Sequence, residues 1–194
     1  PRRDLESFKT ELVEADLTIV ERRLERLKRE KGKERERELL DKIREALESE
    51  RELRHLGLSR EEETALAGFQ FLTLKPRLTV VNVNEAAVAE PAPAAVREFA
   101  DAEKLTLIVI SGKVEMELAE LEPDDRHNFE KDLGLEESAR DRFIQASYAL
   151  LSLMSFLTAG EDELRAWTIR RGEVTQGAAG KIHSDIARGF IRAE

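Results

Sequence analysis

Apolar residues at Val13, Leu17, Val20, Leu24 and Leu27 recur at spacings of four, three, four and three. That heptad seam predicts one long helix over residues 4–31. Leu5, Phe8 and Leu12 extend the stripe towards the N-terminus. Gly32 interrupts it between Lys31 and Lys33, and a second helix is predicted from Glu34. Its seam runs through Leu39, Leu40, Ile43, Ala46 and Leu47 and fades towards Leu53 and Leu56. Two amphipathic helices with so short a break fold back as an antiparallel hairpin. At 1.5 Å per residue each arm reaches roughly 30–40 Å.

The texture changes after residue 57. Ser59 with Glu62 three residues later is a capping-box start for a short helix to about Phe71. Arg77–Val83 and Leu105–Ile110 are short apolar runs rich in β-branched residues, which suits buried parallel strands. Between them Glu90-Pro91-Ala92-Pro93-Ala94 launches a helix through about Ala102. Helices are expected again through Leu121 and from about Glu137 to Phe156. Alternating strands and helices are the grammar of a doubly wound α/β sheet, whose ligands bind beyond the strand C-termini. Those ends are Asn82–Glu85 and Ser111–Lys113. Thr158–Glu194 is richer in glycine and predicts a strand over Leu164–Ile169 and a helix over about His183–Arg188, part of a small α+β module. The division expected is 1–56, 57–151 and 152–194.

The 194 residues include no cysteine, which excludes a disulfide framework, a thiolate zinc site and a cysteine nucleophile. Charged residues make up 38% and hydrophobic residues 41%, too apolar for a disordered chain. No apolar run is long enough to span a membrane and no secretory signal is visible, so a cytoplasmic protein is expected, with a monomer favoured.

Charge is unevenly placed. Residues 1–56 hold 16 basic and 16 acidic side chains, so the remainder carries the whole net charge of −9. The hairpin tip is locally basic, with Arg22, Arg23, Arg26, Lys28, Arg29, Lys31, Lys33, Arg35 and Arg37 opposed by Glu25, Glu30, Glu34 and Glu36. One reading is a solvated helical face laced with i,i+4 pairs. The other is a phosphate-binding finger that grips nucleic-acid backbone, since no aromatic side chain is interleaved to read bases.

Several ordered blocks resemble the YchF/Obg-like ATPase family, a branch of the translation-associated P-loop GTPases. Glu11-Leu12-Val13-Glu14-Ala15-Asp16-Leu17 resembles the start of that family's helical arm. Gly68-Phe69-Gln70-Phe71-Leu72-Thr73-Leu74-Lys75-Pro76 resembles its approach to a nucleotide-site strand, and Asn82-Val83-Asn84-Glu85 its N-x-x-E motif. Phe156-Leu157-Thr158-Ala159-Gly160, Arg165-Ala166-Trp167-Thr168-Ile169, Ala178-Ala179-Gly180-Lys181-Ile182-His183-Ser184-Asp185 and Gly189-Phe190-Ile191-Arg192-Ala193-Glu194 resemble the opening of its TGS domain. Two details differ: Thr175-Gln176-Gly177 replaces the usual Ala-Pro-Gln, and Leu157 replaces a second Phe.

The fold so implied is α/β: a partial doubly wound P-loop-type nucleotide domain, an antiparallel coiled-coil insertion and the start of an α+β TGS domain. No G-x-x-x-x-G-K-[ST] occurs in the sequence. That loop's amides and lysine cradle phosphates, so these residues alone are expected to be inactive. The resemblance implies a protein that binds and hydrolyses ATP, or also GTP, with Mg²⁺, and that associates with ribosomes and ribosomal RNA. It assigns base contacts to Asn82, Val83, Glu85, Ser111 and Gly112. Glu85 is one methylene longer than the Asp that grips guanine in N-K-x-D relatives, and Val83 stands where their lysine lies, which implies ATP over GTP. A non-enzymatic coiled-coil adaptor that docks RNA or protein is the alternative.

Other chemistry is thin. His55, His127 and His183 have no ligand spacing, so no metal site is expected among them. Asp124-Asp125 reads as a helix start. Trp167, near Arg165 and Arg170, is read as a core residue, with base stacking the competing use.

Overall fold

The computed structural model describes residues 1–135, 137–160 and 163–192. They form two compact units, one of Pro1–Arg77 with Pro93–Lys104 and one of Leu78–Ala92 with the chain from Leu105 onwards. Ala193 and Glu194, the end of the last resembling block, lie outside the described residues.

In the first unit α1 (Arg2–Leu27) and α2 (Glu34–Glu48) pack along their apolar seams. Val13, Val20, Leu24 and Leu27 are buried against Leu40, Ile43, Ala46 and Leu47. α1 ends at Leu27, four residues before the end expected from the sequence. The chain uses residues 28–33 to turn, with Gly32 at φ +74°, a conformation that favours glycine. Arg23 locks that turn. Its Nε donates to Glu36 at 2.7 Å, and its two terminal nitrogens donate to the two oxygens of Glu30 at 2.8 and 3.1 Å.

Leu53 is fully buried in the same core, on a 3-10 turn, although the seam fades there in sequence. α3 (Arg60–Leu66) begins with the expected capping box: Ser59 Oγ accepts from Glu62 N–H at 3.2 Å and Glu62 accepts from Ser59 N–H at 2.7 Å. Leu66 and Phe71 join the core, so residues 57–77 pack with the helical pair. The tie is polar as well. Asp16, fully buried on α1, accepts from the Leu72 and Thr73 amides at 2.9 and 2.7 Å and from Thr73 Oγ1 at 2.7 Å. α4 (Ala94–Ala102) also packs on α1, burying Val96, Phe99 and Ala100.

The second unit is mixed α/β. β1 (Leu78–Asn82) and β2 (Thr106–Ile110) pair in parallel from Leu78↔Thr106 to Asn82↔Ile110. They are half-buried rather than buried, with Val80 40% exposed, because the described sheet has two strands. α5 (Gly112–Ala119) and α6 (Pro123–Asp132) follow, and α7 (Ala139–Leu150) packs on both strands. The helix expected to reach Phe156 therefore stops at Leu150. Ser152 takes φ +52° and the chain enters β3 (Leu153–Ala159), antiparallel to β4 (Leu164–Arg170). α8 (Thr175–Ile182) and α9 (Ser184–Gly189) complete the unit.

Two stability predictions follow from the first unit. Asp16→Ala strands two backbone donors and a hydroxyl, so it costs about 3 kcal/mol in urea unfolding followed by helical circular dichroism; a loss under about 1 kcal/mol would contradict the tie. The Arg23 hydrogen bond holds the Glu36 carboxyl below its ordinary 4.5. A depressed carboxylate stabilises the fold above its unfolded pKa and loses that contribution as pH falls through the folded one. Wild type should lose thermal stability more steeply than Glu36→Gln as pH falls from about 5 to 3, and parallel curves would contradict the lock.

Candidate functional site

Because β1 and β2 run parallel and in register, both chains leave the sheet at the same edge. Val83 N–H donates to Ile110 O at 2.8 Å, carrying the ladder one residue past β1. The chain then peels away as Asn84 Oδ1 accepts from Ala87 N–H at 3.1 Å and sets a 3-10 turn over Glu85–Ala87. On the neighbouring strand Ser111 is fully buried, and its Oγ accepts from Val114 N–H at 3.4 Å to start α5.

One side chain joins the two loops. Gly112 N–H donates to Asn82 Oδ1 at 3.0 Å. This bond fixes which way the Asn82 amide faces, and its Nδ2 donor keeps no partner among the described residues. A Cβ added at Gly112 would stand 3.6 Å from that same oxygen, an ordinary contact, so the loop approaches closely without demanding glycine. Lys113 Nζ lies 3.8 Å from Glu85 and 3.6 Å from Glu117, and all three side chains are exposed. Ion pairs of that kind are weak and leave the Glu85 carboxylate free to turn towards a ligand.

The structure thus brings Asn82, Val83, Glu85, Ser111 and Gly112 to one strand-end edge. Asn84 and Lys113 lie there too; the sequence reading included them in the strand-end loops without assigning them a base contact. Their signals were an Asn ahead of a turn and a Lys–Glu pair at i,i+4. An amide donor beside an acceptor-only carboxylate can address the edge of a planar heterocycle. Phosphate and magnesium fit less well, because the ammonium at this edge, that of Lys113, lies between two carboxylates.

The nine tip cations all lie in the first unit. Arg23, Glu30 and Glu36 form the lock described above. Lys28 pairs with Glu25 at 2.5 Å and Lys33 with Glu36 at 3.6 Å. Arg22, Arg26, Arg29, Lys31, Arg35 and Arg37 are exposed and have no acidic partner among the described residues.

Two further sites clarify the sequence reading. His55 has no ligand spacing in sequence, yet the fold sets it beside Glu52 and Glu103 within 4.8 Å. Those acids are already engaged: buried Glu52 accepts from Arg54 at 2.6 Å and from Arg77, and Glu103 pairs with Lys9 at 2.8 Å. Burial pulls the Arg77 pKa down, and Glu52 opposes that shift. Trp167 is half-buried; its Nε1 donates to Thr158 at 2.9 Å and the Arg165 guanidinium sits 4.2 Å over its ring. Both its polar handle and one ring face are therefore occupied.

The chain is similar to several known proteins. The family model YchF-GTPase_C, described as "Protein of unknown function (DUF933)", matches residues 153–194. The chain is 43% identical over 203 residues to the "Ribosome-binding ATPase YchF" of Bacillus subtilis, covering all of this chain and 56% of that protein. It is 41% identical over 200 residues to the protein of the same name from Haemophilus influenzae, covering 100% and 55%. The solved structure of the Schizosaccharomyces pombe YchF GTPase superposes with a TM-score of 0.85 at 28% identity, over 98% of this chain and 55% of that one. The chain spans about half the length of the curated relatives it matches. Family model, relatives and solved structure together support a piece of a YchF-family protein.

Proposed function

We propose that the strand-end edge is the base-reading part of a purine-nucleotide site in a ribosome-associated, ATP-binding protein. The observation that carries this reading is the Gly112 N–H to Asn82 Oδ1 bond, which couples two loops where open parallel sheets bind ligands. Asn82 Nδ2 and the Glu85 carboxylate then face the base, Val83 lies along it, and Ser111–Gly112 back it. The relatives named as ribosome-binding ATPases support the nucleotide and the partner.

Adenine is favoured. Its exocyclic amine offers a donor to Glu85, whereas a longer acid at this position displaces the two-donor grip that an Asp makes on guanine. The bound nucleotide's magnesium and phosphates would be held by residues other than those at this edge. In the same reading α1 and α2 are a coiled-coil arm, the chain from β3 is the start of a TGS domain, and the tip cations face ribosomal RNA in the cytoplasm. No helix of the described residues is long and apolar enough to cross a membrane.

Photocrosslinking with an 8-azidoadenosine nucleotide at high concentration tests the base contact. The label should map to residues 82–85 or 111–113, and ATP should compete better than GTP. Glu85→Asp should narrow that preference several-fold, by about 1 kcal/mol. Label confined to other peptides, or equal competition in both proteins, contradicts the assignment. A protein of these residues alone should turn over ATP negligibly, and turnover at enzymatic rates would show that phosphate is held by groups not identified at this edge.

A further inference from the structure

Ion pairing sorts the nine tip cations into two kinds. Arg23, Lys28 and Lys33 face carboxylates, and the other six do not. Three of the unpaired arginines share one place. Arg22, Arg26 and Arg29, at i, i+4 and i+7, line an open depression of about 850 Å³ together with Glu25 and Glu30. Both acids in that depression are already paired with cations outside its lining. Lys28 holds Glu25 at 2.5 Å, and Arg23 holds both oxygens of Glu30. Arg26 Nε donates to the Arg22 carbonyl at 3.4 Å, which leaves its terminal nitrogens to solvent. The depression therefore presents three uncompensated guanidinium groups.

We propose that this depression, rather than the basic tip at large, is the arm's contact with the phosphate backbone of RNA, and that Arg23 and Lys28 are positioning residues that keep Glu30 and Glu25 from competing with phosphate. It rests on the reading that the tip faces RNA, and it names the residues and the ligand chemistry of that face. Guanidinium suits the task because its planar fork matches two phosphate oxygens at once. The surroundings favour a nucleic acid over an anionic membrane or an acidic peptide. Among the described residues, no exposed large apolar side chain falls between Ile19 and Leu72, so nothing near the tip could insert into lipid or fill a partner's pocket. No aromatic side chain lines the depression, so it grips backbone without regard to base.

Filter binding of a mixed-sequence RNA hairpin across a salt series tests this. Arg22→Gln, Arg26→Gln and Arg29→Gln together should weaken binding at low salt by about tenfold or more and reduce the log–log salt slope by about 2. The charge-matched set Lys31→Gln, Arg35→Gln and Arg37→Gln should change affinity by less than about threefold. Replacing the first three by lysine should keep the slope and lose part of the affinity. Circular dichroism of each variant checks that the helices persist. Equal weakening by the two glutamine sets would overturn the proposal in favour of diffuse attraction, while leaving RNA binding by the arm intact. Wild-type protein that binds neither the hairpin nor ribosomes would overturn the underlying reading, and binding to phosphatidylserine vesicles without RNA binding would overturn the choice of partner.

Discussion

The hydrogen bond from the Gly112 amide to the Asn82 side chain ties the start of α5 to the end of β1, beside the last ladder bond from Val83 to Ile110. Its net contribution to stability is only about 1 kcal/mol. Its geometric effect is larger. It sets the face of the Asn82 amide, aligns the first turn of α5 against the end of β1, and directs both loops to the same edge. Parallel pairing makes this possible, because antiparallel neighbours would send their C-termini to opposite ends of the sheet. The proposed recognition of a base needs that alignment, since the bond from the β2 loop fixes which way the Asn82 amide faces beside the Glu85 carboxylate of its own loop.

The helical arm follows a comparable logic with charges. The seam between α1 and α2 is apolar, so the flanking acids and bases are free to take other roles. Arg23 illustrates the division. It is the least exposed of the paired tip cations and satisfies two glutamates across the turn, which closes the hairpin and removes those acids from the surface. A count of basic residues treats Arg23 and Arg26 alike, whereas the fold gives one a turn to hold and the other open solvent.

Much of this was legible in the residues. The Val13–Leu27 spacing, Gly32 and the Ser59–Glu62 box each correspond to a local interaction that the structure contains, and the two β-branched runs pair in parallel. The same two runs put Asn82–Glu85 and Ser111–Lys113 just beyond strand ends, where the structure has them. What was hidden had physical causes. α7 passes into β3 without a glycine or proline to mark the stop, since Ser152 adopts the left-handed turn, and Leu150, Leu153, Met154 and Leu157 continue the helical spacing into the strand. α8 carries Gly177 and Gly180, which lower local helix propensity, and it escaped notice for that reason. Asp16 resembled a surface residue of a charged helix, because its partners are amides far along the chain. The grouping of Glu52, His55 and Glu103 likewise depends on long-range packing that no short motif records.

The Gly112 amide is the most direct probe of the proposed base contact. In a nuclear magnetic resonance titration with adenosine, which carries no phosphate, the account predicts that the Gly112 amide and the Asn82 side-chain amide shift together at millimolar ligand, and that Asn82→Ala abolishes the response. Unchanged resonances at both groups, or shifts confined to residues away from the ends of β1 and β2, would contradict it.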